Sequence, residues 1–402
     1  MKHLLLAACV IPMMVAYEPQ PAAATVHARW RTDALNFWTR AAGERWISIQ
    51  IERGDSQSSL SVPEHDAPAL SDRTADGPVH FTIRRDAGVF EFSGDLRAGR
   101  GSGDVQFTPD PAYAADMARL GYPLSTEEVW RFAVHDITRV YVQSLRNEGV
   151  RSSADDLVRM RIHGVDAAYV ASYRRAGYQL GVEDLVKTRI HGATPEFAQQ
   201  VRQEGLGQPT VYDLVKMRIH GVTPEFVREL RDLGYKDLSI DRLVALRIHG
   251  VSSDFVRQMA DLGYKNVDLD DLVRFRIHGV TPEFIKAFGN LGYTNVAAED
   301  LVKMRIHGVS PDLVKELRDL GYKNVAIEDL VKMRIHGVTP DFIRQMRDAG
   351  YGGVSVDKLV CFRIHGVDAD MVRDLKARGF KDMSADDLVD FAIHGRRWLK
   401  TR

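Results

Sequence analysis

From about residue 109 the apolar positions recur at the spacing of short amphipathic helices, and that pattern is itself repeated. One full copy reads Asp300-Leu-Val-Lys-Met-Arg-Ile-His-Gly-Val-Ser-Pro-Asp-Leu-Val-Lys-Glu-Leu-Arg-Asp-Leu-Gly-Tyr322. Leu301, Val302 and Met304 line one face of a first short helix, and Leu313, Val314 and Leu317 line one face of a second. Histidine marks the register, at His163, His191, His220, His249, His278, His307, His336, His365 and His394; the first step is 28 residues and every later one is 29. A weaker copy sits one step earlier, at His135. A fixed period of this size predicts stacked two-helix units and decides the fold before any local reading.

The helix ends are written into each copy. The second helix opens with Thr-Pro-Glu or a variant, as at Thr223, Thr281, Ser310 and Thr339. The hydroxyl caps free amides, proline needs no donor at the first helical position, and the acid meets the positive helix end. Gly-Tyr or Gly-Val ends each helix, with glycine in the left-handed cap. First helices such as Asp300 to His307 are only about two turns and cannot stand alone, so stacking must hold them.

Ahead of the array the period changes to two. Trp46-Ile-Ser-Ile-Gln-Ile51 and Val79-His-Phe-Thr-Ile-Arg84 alternate, and Phe90, Phe92, Val105 and Phe107 continue the pattern. Asp86-Ala-Gly88 reads as a tight turn and 99–103 as a looser one, while the polar stretch 52–78 reads as containing a long loop around 63–76. Residues 29 to about 45 stay ambiguous. The expected fold class is therefore mainly α: an α-solenoid of two-helix repeats over residues 109–402, preceded by a small antiparallel β domain over 29–108. About 80 residues is marginal for an independent core, so one face of the sheet is expected to pack on the array.

Residues 1–28 read as a signal peptide. Lys2 and His3 precede an apolar run from Leu4 to Ala16, and small residues follow at 22–24 and at Ala28, with cleavage expected between Ala24 and Ala28. The run is too short for a membrane span, so no transmembrane segment is expected in the mature chain. Leu6-Ala-Ala-Cys9 resembles a bacterial lipoprotein box, which makes a lipid anchor at Cys9 the alternative to a free mature chain. The other cysteine, Cys361, is expected to be a buried apolar residue in the slot that holds Met or Phe in sister copies. With Lys+Arg 54 against Asp+Glu 55, the charge balance speaks against a polyanion or an anionic membrane as main partner.

Two columns carry candidate chemistry. The histidines His163, His191, His220, His249, His278, His307, His336 and His365 are spaced by helix packing, about 8–10 Å, whereas metal ligands must meet at about 2.0–2.3 Å. They are read as structural, each imidazole closing the C-terminal end of its helix; neither metal nor cofactor is expected. An arginine stands two residues before each, including Arg218, Arg247, Arg276, Arg305 and Arg334; Ala133 and Ala392 replace it in the end copies. Loss of arginine where a neighbour is missing fits a between-unit role, bridging to a carboxylate or carbonyl of the adjacent unit. Asp213, Asp271, Asp300 and Asp329 are the candidate carboxylates. The alternative is a stripe for an anionic ligand. No catalytic motif is found, and a cryptic site in the β domain would have to use Glu64, His65 or His80.

Ile306-His-Gly-Val-Ser-Pro with Leu-Gly-Tyr322 partly resembles the helix-hairpin-helix module of DNA-binding proteins. That family's second glycine is Thr223, Thr281 or Ser310 here, and an acid follows, so phosphate binding and a nucleic-acid partner are disfavoured. The whole unit, over residues 109–395, is similar to repeats of bacterial exported proteins and to the tails of membrane sensor metallopeptidases of the beta-lactam antirepressor type, whose peptidase motif and membrane helices are missing. The resemblance implies a repeat and no activity. The expectation is a non-enzymatic scaffold, exported to the periplasm or secreted, that binds a protein or peptide. The competing reading is an exported enzyme using the β domain.

Overall fold

The computed structural model describes residues 24–32, 37–39, 44–71 and 74–395; residues 1–23 of the expected signal segment, with the lipid-anchor position Cys9, lie outside them, while its last residues 26–28 belong to a strand. The fold is mainly α, with a small antiparallel sheet at the N-terminus followed by twenty helices among the described residues. The chain divides into two compact units, residues 1–196 and 197–402. The first unit thus contains the sheet together with the first helices.

Seven strands make the sheet: β1 (Val26–Thr32), β2 (Phe37–Thr39), β3 (Arg45–Arg53), β4 (Ser56–Pro63), β5 (Gly77–Arg85), β6 (Gly88–Arg97) and β7 (Arg100–Pro109). β5, β6, β7, β1 and β3 pair in that order; β2 and β1 share one edge of β3, and β4 takes the other. Three strands lie outside the alternating stretches read from the sequence. In β1 the inward residues Val26, Ala28, Trp30 and Thr32 are all buried, with arginines and a histidine between them. In β4 only Leu60 and Val62 point inward from a serine-rich run, and both are fully buried. Of the expected loop, 64–71 and 74–76 remain outside the strands, with two 3-10 turns. Glycines in β6 and β7 let the sheet close over Trp30: a Cβ on Gly101 would sit 2.6 Å from its ring. The indole N–H donates to the Ser93 carbonyl at 3.0 Å.

In the first unit the second helices are α1 (Pro111–Arg119), α3 (Arg139–Asn147) and α5 (Ala167–Arg175), and the first helices are α2 (Thr126–Val134), α4 (Ala154–Ile162) and α6 (Val182–His191). Like packs on like, α1 on α3 on α5 and α2 on α4 on α6, while α2 also covers β4 and β7. As expected, one face of the sheet meets the helices: Trp130 of α2 stands edge-on to Phe90 and Phe107 at 5.4 and 5.5 Å. Burying aromatic and aliphatic groups of this size is worth about 1.5–3 kcal/mol each, which supplies what a lone sheet of this length lacks.

α7 (Pro195–Gln203) begins at the boundary of the two units. In the second unit the first helices are α8 (Val211–Ile219), α10 (Ile240–Ile248), α12 (Leu269–His278), α14 (Ala298–Ile306), α16 (Ile327–Ile335), α18 (Val356–His365) and α20 (Ala385–His394). The second helices are α9 (Pro224–Asp232), α11 (Ser253–Asp261), α13 (Pro282–Gly289), α15 (Pro311–Asp319), α17 (Pro340–Met346) and α19 (Ala369–Ala377). Each layer again stacks on itself. The predicted N-caps form, with the Thr223, Thr281, Ser310 and Thr339 hydroxyls each accepting an amide at 3.2 Å. Cys361 departs from expectation. It is half-buried and falls in the slot of Lys303 and Lys332; the buried Met/Phe slot in that copy is Phe362.

Because β1 starts at Val26, removing residues 1–24 should leave stability unchanged, whereas removing 1–28 should cost about 2–4 kcal/mol through lost Val26 and Ala28 burial and strand pairing. Urea unfolding of the two truncations checks this; equal stability would mean β1 does not contribute to the folded sheet.

Candidate interaction surface

The C-terminal ends of the short helices define the surface. In each copy the histidine is the C-cap or the last helical residue, and the following glycine is left-handed, as at Gly221 with φ 67°. The backbone turns back in the same way each time, with the Val222 amide donating to the Met217 carbonyl at 2.8 Å. The imidazoles do not do the closing. His163, His191, His249, His336 and His365 are exposed, and His220, His278 and His307 are half-exposed. Among the described residues of the column only His394 has a ring hydrogen bond to its helix, with Nδ1 3.1 Å from the Asp390 oxygen.

What covers the helix end is the arginine of the next copy. Arg305 Nε donates to the His278 carbonyl at 3.3 Å and Arg334 Nε to the His307 carbonyl at 3.2 Å. The guanidinium lies over the ring that opens the second helix: Arg218 over Phe197, Arg247 over Phe226, Arg276 over Phe255 and Arg305 over Phe284, at 4.9 to 5.2 Å from the centroid. It also lies against the left-handed glycine, so that a Cβ on Gly250 would be 3.2 Å from Arg276 Nη2. A positive charge at the negative helix end, stacked on an aromatic face, is favoured on both counts. The between-unit role of arginine is therefore real, and of the two expected partners it is the carbonyl and not the carboxylate. Asp213 is bound into a capping box with Thr210, Asp271 pairs with Arg274, Asp300 lies 3.7 Å from Lys303, and Asp329 pairs with Lys332. Each acid faces a partner on or at the start of its own helix, and none pairs with the arginine column.

A second set of cations, not singled out in the sequence, closes the other layer. Arg318 donates to the Leu291 carbonyl and Lys376 Nζ to the Ala349 carbonyl, the latter at 2.6 Å. Arg146 and Arg174 do the same for Leu120 and Glu148 in the first unit. The signal was available as the basic residue three places before Gly-Tyr, but Ala260 and Gly289 interrupt it.

Between arginine and histidine stands an isoleucine, and it faces water. In the second unit Ile219, Ile248, Ile277, Ile306, Ile335, Ile364 and Ile393 are each 50–55% exposed. Because successive first helices pack side by side, these side chains form a row spaced at about the 8–10 Å of packed helices. Arg218, Arg247, Arg276, Arg305, Arg334 and Arg363 run beside it, exposed, and pair with no carboxylate among the described residues, whereas neighbouring Lys303 and Lys332 do pair. The row is apolar and flanked by uncompensated positive charge.

The β-domain candidates are scattered. Glu64 and His65 share one 3-10 turn, where Glu64 pairs with Arg45 at 3.2 Å and His65 lies 3.4 Å from Asp66; His80 is exposed on β5, cross-strand from Ser93. Among the described residues no three His, Cys, Asp or Glu side chains come close enough to hold a metal ion, and no helix is long and apolar enough to cross a membrane. The chain matches no protein-family model and no curated protein.

Arg276→Ala should lower stability by about 0.5–1 kcal/mol through loss of the contact with the Phe255 ring. In double-mutant cycles read by urea unfolding it should couple to Phe255→Leu by about 0.5–1 kcal/mol and to Asp271→Ala by less than about 0.3 kcal/mol. Strong coupling to Asp271 would restore the carboxylate bridge.

Proposed function

We propose that the protein is a non-enzymatic, exported scaffold that binds an extended protein or peptide segment along the Arg-Ile-His ridge of its second unit. The observation that carries this reading is the row of seven half-exposed isoleucines. An isoleucine free to vary would be replaced by a polar residue on a solvated helix end; a contiguous apolar row on a surface otherwise rich in ion pairs is the usual mark of a contact site. The unpaired arginines add the expected sign of the partner, which carries acidic side chains beside apolar ones.

The spacing narrows the partner's form. A polyproline-type segment rises about 3.1 Å per residue with three residues per turn, so each turn covers about 9 Å and returns side chains to the same face. That matches one repeat. An apolar residue at every third position would meet one isoleucine per copy, and acids next to them would meet the arginines. Export, to the periplasm or outside the cell, rests on the basic-apolar-small order of residues 2–28.

Replacing Ile277, Ile306 and Ile335 together by Asp should change stability by no more than about 0.5 kcal/mol per site, since each is a surface position. Fluorescence anisotropy with a proline-rich peptide of about 18 residues, six turns of the segment, carrying leucine at every third position and glutamate beside it, should show saturable binding that the triple variant loses. Equal binding of a peptide with leucine at every second position, or binding untouched by the triple substitution, would sink the proposal.

A further inference from the structure

The first copy of the repeat breaks the frame at one point. Where later copies have Ile-His-Gly, it has Val134-His135-Asp136, and Asp136 occupies the glycine position with φ 53°. A non-glycine residue held there is strained by an amount that surrounding contacts must offset. Two arginines supply them. Arg85, at the end of β5, places Nη1 3.1 Å from one Asp136 oxygen, and Arg161 places Nη2 2.7 Å from the other. Arg161 is the column arginine of α4 and also donates Nε to the His135 carbonyl at 3.3 Å. The arrangement joins the sheet to the helices, but the join is not balanced.

Three features mark the imbalance. A cavity of about 270 Å³ opens at this point, walled by Trp46, Ser61, Arg85, His135, Asp136 and Arg161. Two guanidiniums share a single carboxylate, and burial, with Arg131 beside it, pulls His135 below the usual imidazole range, so its ring is neutral at pH 7 and the lining keeps one excess positive charge. Arg85 is only 11% exposed. Its Nη2 donates to the Ser61 carbonyl at 2.7 Å, but its Nε is the one buried side-chain nitrogen or oxygen among the described residues without a hydrogen-bond partner. Leaving a buried donor of a charged group unmet is costly, and both Asp136 oxygens are already engaged.

We propose that this cavity is a binding site for a small organic carboxylate, whose head group meets the excess positive charge at Arg161, the lining guanidinium that is 37% exposed, while its apolar body lies against Trp46. The volume is at the lower end of ligand pockets, which fits a molecule about the size of benzoate. A carboxylate suits the planar guanidinium forks better than a tetrahedral anion of higher charge, because only one positive charge is left uncompensated. The site is independent of the isoleucine row, which lies in the other unit.

Calorimetric titration of the full chain with benzoate, phenylacetate and inorganic phosphate tests it. Benzoate or phenylacetate should bind saturably at millimolar concentration or below, and phosphate should bind at least about tenfold more weakly. Arg161→Gln removes the exposed guanidinium of the lining and should weaken binding by about tenfold or more. Asp136→Asn keeps the shape and tolerates the left-handed conformation while freeing both guanidiniums, and should tighten binding by about fivefold or more. A purely structural join predicts that opposite response for neither variant, and if Arg161→Gln does not fold the Asp136→Asn titration decides alone. Failure of both carboxylates to bind the wild type, binding unchanged or weakened in Asp136→Asn, or phosphate binding as tight as benzoate would overturn the proposal.

Discussion

Helices of nine residues leave nearly as many carbonyls unpaired at their C-terminal ends as they satisfy inside, and that shortage governs this protein. The array meets it in trans. A cation from the next copy lies across the end of the helix before it, through Arg305 and Arg334 in the layer of first helices and through Arg318 and Lys376 in the layer of second helices. The left-handed glycines and the 29-residue period follow from the same need, because the guanidinium lies against the helix end only where no Cβ stands in the way. The ring is the more widely shared partner, as with Arg247 over Phe226 and Arg276 over Phe255, and in the copy where Leu313 replaces it the Arg334 bond to the His307 carbonyl persists.

The first copy shows what happens when the partner on one side is a sheet. Ala133 removes the column arginine, and Arg139 on the neighbouring helix takes over its place above Tyr113, at 5.0 Å. Arg139 also bonds to Asp86 of the β5–β6 turn and to Asp110 and Asp116. Together with Trp130 against Phe90 and Phe107, this makes the sheet behave as the terminal repeat of the stack in its own unit. A cap of this kind covers the apolar end that an unpaired first copy would leave in water.

The period, the two-helix unit, the caps and the antiparallel sheet were all legible in the sequence, because each depends on residue type at a fixed spacing. What escaped depends on partners distant in the chain. Val26, Ala28 and Trp30 alternate correctly, but lie beside residues that also read as a cleavage region. Leu60 and Val62 are too few to announce β4 until β3 is beside them. The arginine column was visible as a column, with a carboxylate or a carbonyl of the adjacent unit as its target; a carbonyl has no side-chain signature, so residue type could not choose it over the acids, which are occupied by their own helices. The isoleucines carry no signal of exposure in the sequence, because they sit beside core residues in every copy. Their exposure follows from the angle at which the last helical turn meets the solvent, and no single-copy pattern contains that angle.

The tyrosines that end the second helices carry one consequence further. Tyr235, Tyr264, Tyr293, Tyr322 and Tyr351 each donate a hydroxyl to a carbonyl 32 residues ahead, in the loop before the next copy's successor helix, at 2.7 to 2.9 Å. The arginine joints reach backward along the chain and the tyrosine joints reach forward. Any stretch of 29 residues therefore carries one half of each kind of joint, whatever point it is cut from. A gene segment of that length, duplicated or lost by unequal recombination, would arrive or leave with its couplings matched, so the length of the array is a quantity that inheritance can change without inventing new contacts.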